Sequence, residues 1–282
     1  LTERTEDGDR SVAATRGRAG RALELLGPFL ALVLVSALFA LVLPGQFLSA
    51  YNLKTVATQT VIVGLGAIGM TFVIVSGGID LSVGSAIALS SVVTALVLRA
   101  GSGAWPAVMA GIGTGGALGL LNGLVVTRLR IVPFIVTLGT MGMARGLAKY
   151  LADEQKVDAP ARGLSMLMAK TPEPAWLLLS PGVWLLFMLA VIAGLVLSRT
   201  VFGIHAFAIG SNESTARLCG IRVERCKTII YALCGLFAGL AGSLQFARLT
   251  VGDPTTALGK ELDVIAAVVI GGGSLAGGSG SI

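Results

Sequence analysis

Long apolar runs alternate along the chain with short polar or glycine-proline breaks, and most runs have the roughly 20-residue length that crosses a bilayer. The first extends from about Leu25 to Leu43 and ends at Pro44-Gly45; the second, about Val56 to Val75, stops at Gly77-Gly78. The third runs from about Leu81 to Leu98 and ends at Arg99, and the fourth opens at Trp105-Pro106 and reaches Val126, ahead of Arg128 and Arg130. A fifth covers about Val132 to Leu151. After a polar stretch holding Pro160, Pro172 and Pro174, a sixth lies between about Trp176 and Leu197. A basic loop then leads to a seventh, about Thr228 to Phe246, and an eighth near Leu262 to Ile270. The pattern predicts an all-α, polytopic transmembrane bundle of about eight spans.

Composition agrees: 54% hydrophobic residues, 13% charged residues and a mean hydropathy of +0.86 describe a chain solvated mostly by lipid. The 39 glycines suit helices that pack closely through small residues. Gly111, Gly115, Gly119 and Gly123 recur every four residues and draw one such stripe down a single helix. The net charge of +6 comes from basic flanks of spans, with no basic patch interleaved with aromatics, so no nucleic-acid partner is expected.

Charge also orients the chain. Residues 1–24 form a polar tail with Arg10, Arg16, Arg18 and Arg21, lack a cleavable signal pattern, and are expected in the cytoplasm. Counting crossings from there puts Arg128 and Arg130 inside, together with the loop 199–227 and its Arg199, Arg217, Arg222, Arg225 and Lys227. Loop 152–174, with Asp153, Glu154, Lys156, Asp158 and Glu173, falls outside. The membrane-spanning region is thus expected over residues 25–282. Cys219, Cys226 and Cys234 form no CxxC pair and His205 is the single histidine, so no metal site and no cofactor is expected.

Three motif matches are set aside. Gly64, Gly66 and Gly69 fit GxGxxG but lie within a span, without a βαβ unit. Gly252 to Lys260 has the wrong spacing for a phosphate-binding loop, so no ATPase site and no enzyme activity are expected in this chain. Asn212-Glu213-Ser214 fits a glycosylation acceptor but falls on the cytoplasmic side.

Two segments carry candidate chemistry. In Gly77-Gly78-Ile79-Asp80-Leu81-Ser82-Val83-Gly84, a carboxylate stands between two spans, and an intramembrane acid is a functional candidate by default. Asp80 can equally cap a helix that starts at Leu81. Gly77, Gly78, Leu81, Gly84 and Ser85 recur 194 residues later as Gly271, Gly272, Leu275, Gly278 and Ser279, an echo expected of a transporter built from two related halves. The second segment is the cytoplasmic loop. There Asn212 or Ser211 can cap a short helix carrying Glu213, Ala216 and Arg217, with Gly220 placed to end it.

With these residues in view, the chain resembles the permease subunits of ribose-type sugar ABC importers, within the branched-chain amino acid/sugar permease superfamily. The resemblance rests on the Gly77–Gly84 segment, on Pro133 to Thr140 with Ala144-Arg145-Gly146, on Ile209 to Ile221, and on Glu261 to Gly272. It implies a subunit of the bacterial inner membrane that pairs with a second copy or a related permease. It further implies a separate ABC ATPase docked on the Glu213–Gly220 segment and an extracytoplasmic sugar-binding protein. Gly77, Gly78, Asp80, Ser82 and Gly84 would belong to the pathway, with Gly271, Gly272, Gly277 and Gly278 as the second-half glycine loop. Ser279 and Gly273 depart from the family's usual basic residue and threonine. The family has about ten spans, so about two C-terminal ones are expected beyond this chain. The residues alone also allow an ion- or proton-coupled transporter with a relay through Asp80, Arg145, Lys149 and Asp263, or a non-transporting scaffold.

Overall fold

The computed structural model describes residues 18–171 and 177–282. Arg10, Arg16, Pro172, Glu173, Pro174 and Trp176 therefore lie outside the described residues. The described residues fall into two compact units, divided between Leu53 and Lys54.

Helices α1 (Arg18–Val42) and α2 (Pro44–Phe47) belong to the first unit. They are followed by α3 (Ala50–Val75), α4 (Val83–Arg99), α5 (Ala104–Leu129), α6 (Pro133–Leu151), α7 (Pro181–Arg199), α8 (Val201–Ser211), α9 (Glu213–Leu218), α10 (Val223–Leu249) and α11 (Lys260–Ile270). A 3-10 turn covers Leu164–Met168, and two-residue strands β1 (Val157–Asp158) and β2 (Val251–Gly252) pair antiparallel. Each expected span coincides with a helix. Among the described residues, α3, α5, α7 and α10 are long and apolar enough to cross a membrane; α4 and α8 are shorter apolar helices.

Local chemistry sets several boundaries. Pro44, Pro133 and Pro181 stand in the first turns of α2, α6 and α7, where a missing N–H costs nothing. Arg130 and Thr250, both left-handed, end α5 and α10.

The core of the second unit is built on α10, which packs on α5 and then on α4. The α5–α10 interface is the glycine stripe: Gly111, Gly115, Gly119 and Gly123 are all buried. A Cβ at Gly115 would collide with the backbone of Gly235 and Gly239, at Gly119 with Tyr231 and Gly235, and at Gly123 with Thr228. Small residues on both helices bring the two backbones together, which in a bilayer supplies the packing that the hydrophobic effect does not. Of the glycines in the GxGxxG match, Gly69 meets the Cys234 backbone in the same way, while Gly64 and Gly66 meet the side chains of Leu186 and Val264.

The loop 199–227 is more structured than its basic composition suggests. Most of its first half is α8, capped by Thr200, whose hydroxyl accepts from the Gly203 N–H at 3.3 Å. Gly203, Ala206 and Ile209 are its buried positions. The seventh span also begins five residues earlier than expected, at Val223.

Candidate functional site

The break between α3 and α4 doubles back along α3. Gly77 (φ +79°) takes the left-handed turn that ends the helix, and the Gly78 N–H returns to Val73 O at 2.9 Å. The chain then climbs, so that a Cβ at Gly66 would lie 3.4 Å from Val83. Gly78 sits beside Val73, and the seven-residue climb from Val73 to Gly66 corresponds to about 10 Å of helix. Helix α4 therefore starts well inside the bundle. Non-helical backbone is tolerated there only because it is buried in protein.

Asp80 organises this turn, though not as the cap of a helix starting at Leu81. The helix begins at Val83, and the Asp80 carboxylate accepts the Ser82 N–H at 2.8 Å and the Ser82 hydroxyl at 2.6 Å. Leu81 stays outside the helix because Asp80 closes a side-chain turn across it. The Asn122 amide of α5 donates to the same hydroxyl at 2.8 Å, and the Thr137 hydroxyl of α6 donates to Ile79 O at 3.3 Å. Asp80, Ser82 and Asn122 are all buried. Beside them the Tyr231 hydroxyl and the Asn122 Oδ1 are buried without a partner.

The second glycine loop repeats the first with a one-residue slip. Gly272 (φ +96°), rather than Gly271, is the conformational counterpart of Gly77, and the Gly273 N–H returns to Val268 O at 2.9 Å as that of Gly78 does to Val73. The side-chain turn keeps the sequence alignment: Ser274 Oγ accepts from the Ala276 N–H at 3.3 Å, as Asp80 accepts from Ser82. The two loops touch. The Gly278 N–H donates to Val75 O at 2.9 Å, and a Cβ at Gly277 would stand 2.9 Å from the Gly77 Cα. Gly210 of α8 packs between them, against Val75 O and the Gly278 nitrogen.

The starts of α4 and α11 meet as well. A Cβ at Gly84 would collide with Glu261 Oε2, lie 2.7 Å from Ala257 O and 3.4 Å from the Glu261 nitrogen. Arg145 of α6 holds the approach to α11, donating to Pro254 O at 2.8 Å and Thr256 O at 2.7 Å. The relay through Asp80, Arg145, Lys149 and Asp263 is not assembled: Asp80 engages Ser82, Arg145 a loop backbone, and Asp263 accepts from Lys260 at 2.6 Å.

Helix α9 is capped as expected. Asn212 Oδ1 accepts the Thr215 N–H at 2.9 Å. At the other end Gly220 (φ +82°) lets the Ile221 N–H reach Ala216 O and the Gly220 N–H reach Arg217 O, both at 3.1 Å. Glu213 accepts from Arg217 at 3.1 Å and from Lys227 at 2.6 Å, and Arg217 also pairs with Glu224. The Lys227 hydrogen bond, helped by Arg217, holds the Glu213 carboxyl below the usual glutamate range. Ala216 is the buried residue of this helix, so it seats α9 on the bundle and is not free to meet a partner. Leu218, which sequence reasoning passes over, is 88% exposed at the helix end. A large apolar residue on a helix otherwise polar outward is the signal that could have found it. Among the described residues no cluster of metal-ligating side chains occurs.

Residues 52–280 match the model of the branched-chain amino acid transport system / permease component family. The chain belongs to this permease family. It is 40% identical to the ribose import permease protein RbsC of Bacillus subtilis strain 168, over 92% of this chain and 80% of that protein. With the ribose import permease protein RbsC of Escherichia coli K12 the identity is 38%, over 90% and 78% of the two chains. The L-arabinose transport system permease protein AraH of the same strain is 38% identical, over 94% and 79%. No solved structure matches the chain. Each block singled out in the sequence falls within the matched region.

Proposed function

We infer that the chain is the membrane-spanning permease subunit of an ATP-driven importer that moves a pentose or similar sugar delivered by an extracytoplasmic binding protein. The observation that carries this reading is α9: a short helix, capped at both ends, ion-paired to the start of α10, and presenting Leu218 outward. A rigid helix joined by ion pairs to a long span suits transmission of force from a soluble partner to the bundle. Glu213, Arg217 and Leu218 would meet the ATPase, while Asn212 and Gly220 fix the helix ends. On this reading residues 1–24 and 199–227 face the cytoplasm, 152–174 face outward, and a second permease completes the pathway. The relatives' printed names favour ribose or arabinose as cargo.

The test is reconstitution of the chain with an ABC ATPase and a sugar-binding protein from the same organism. ATP-dependent uptake of D-ribose or L-arabinose that needs all components supports the reading. Uptake driven by an ion gradient without ATPase, or none, overturns it.

A further inference from the structure

Between α3, α10 and the start of α11 lies a cavity of about 280 Å³, lined by Gln59, Gln245, Arg248 and Lys260 over a floor of Ile62 and Val63. Four polar side chains converge there on one hollow of a strongly apolar bundle, at the C-terminal end of α10, where a polar path could open to the solvent. Gln245 is almost fully buried, and its amide donates to Thr256 Oγ1 at 2.6 Å. Lys260 is engaged by Asp263 at 2.6 Å. Arg248 differs: its Nε is buried without a partner. The guanidinium of this cavity-lining residue thus keeps at least one donor, the Nε–H, that no protein acceptor takes.

The cavity's position adds a second, independent argument. It sits at the first residue of α11, next to Glu261, which meets Gly84 at the start of α4, the helix that begins inside the bundle. Interrupted helices of this kind frame substrate sites in transporters, since their unpaired backbone groups and lining side chains face the cargo. Glycine breaks follow both α3 and α11, as such a repeat requires.

We propose that this cavity is a sugar-binding station on the translocation path, in which Arg248 donates to neighbouring hydroxyl oxygens of the sugar while Gln59 exchanges hydrogen bonds with a third. Ile62 and Val63 supply the apolar floor for the ring's C–H face. Its volume is near the lower bound for small-ligand sites, roughly 300 Å³, which suits one monosaccharide and excludes a larger glycan. This assignment rests on the importer reading given above.

The test uses the complete importer with its ATPase and binding protein in proteoliposomes, and reads sugar moved per ATP hydrolysed. Arg248→Gln is expected to lower that ratio about tenfold, the scale of one lost hydrogen bond to a charged group, and Gln59→Ala about fivefold, the scale of a neutral one. A merely structural role would lower transport and ATP hydrolysis together and leave the ratio unchanged, overturning the proposal. In parallel, Gln59→Cys is treated with a membrane-impermeant thiol reagent, and ribose- or arabinose-loaded binding protein with ATP is expected to slow labelling. Labelling indifferent to sugar overturns the station even if a variant fails to fold. A parent complex that moves no sugar at all overturns the importer reading, and is seen before any variant is made.

Discussion

The Asn122 amide on α5 donates at 2.8 Å to the Ser82 hydroxyl, which itself donates to Asp80, so a residue on a neighbouring span fixes the turn that starts α4 inside the bundle. The turn needs an acceptor at position 80 more than it needs a charge. Asp80→Asn keeps that acceptor and loses only the charge–dipole contribution near the start of α4, about 0.3–1 kcal/mol. It is expected to fold, to bind its ATPase and to transport. Asp80→Ala leaves the Ser82 N–H and hydroxyl buried without their acceptor, and is expected to cost about 1–3 kcal/mol. Melting in detergent with uptake measured alongside checks both; a folded but transport-dead Asp80→Asn would assign the charge a direct part in transport.

Gly115 faces backbone rather than side chains of α10, so no rotamer change can make room there. Gly115→Leu is expected to destabilise the bundle by about 1–3 kcal/mol, the range for overpacking, and to reduce expression. Gly139 has open space where its Cβ would stand, and Gly139→Ala is the matched control, expected within about 0.5 kcal/mol of the parent. Thermal melts of the three proteins in one detergent decide the matter, and equal midpoints would mean that the stripe is dispensable.

The spans and their glycine stripe were legible because period and length survive in one dimension: a 3.6-residue repeat and apolar runs need no knowledge of neighbours. So was α9, since Asn212 and Gly220 mark its ends by local hydrogen-bonding chemistry alone. Helix α8 was not, because eleven residues are too short for a span and the loop's basic residues dominate its composition. Nor was the course of the loop that carries Asp80. A loop that doubles back along its own helix has the same sequence as one that leaves the bundle, and only Gly66 meeting Val83 separates them. The polar cavity is the extreme case, since Gln59 and Arg248 come together only through packing of α3 with α10.

Acidification should release α9 before it harms the bundle. The Glu213 carboxyl is held below its ordinary range by Lys227 and then Arg217, so its contribution is present above the ordinary glutamate pKa. It is lost as pH falls from there through the depressed folded value. Glu213→Gln should remove this pH dependence by removing the titrating group, and should lack the carboxylate's contribution already at neutral pH. Amide exchange of Thr215 to Cys219, corrected for intrinsic rates, is expected to rise in that acid window in the parent alone. Identical pH profiles in both proteins would show that the ion pairs do not seat the helix.

Leu218 and Ala216 lie on one short helix yet should fail differently when replaced. Ala216 is buried against the bundle, so Ala216→Phe is expected to unseat α9 and lower the melting temperature along with transport. Leu218 is exposed and supports nothing beneath it, so Leu218→Glu should leave folding within about 0.5 kcal/mol of the parent. Its effect belongs to the partner, because a charge carried into an interface without a pair is costly to desolvate. With a charge there, ATPase association is expected to weaken about tenfold or more. Co-purification of the ATPase with each variant, beside melts of the permease alone, separates the two. If Leu218→Glu retained its ATPase and its uptake, the docking surface would lie elsewhere on the loop and Glu213 with Arg217 would be the next residues to reverse.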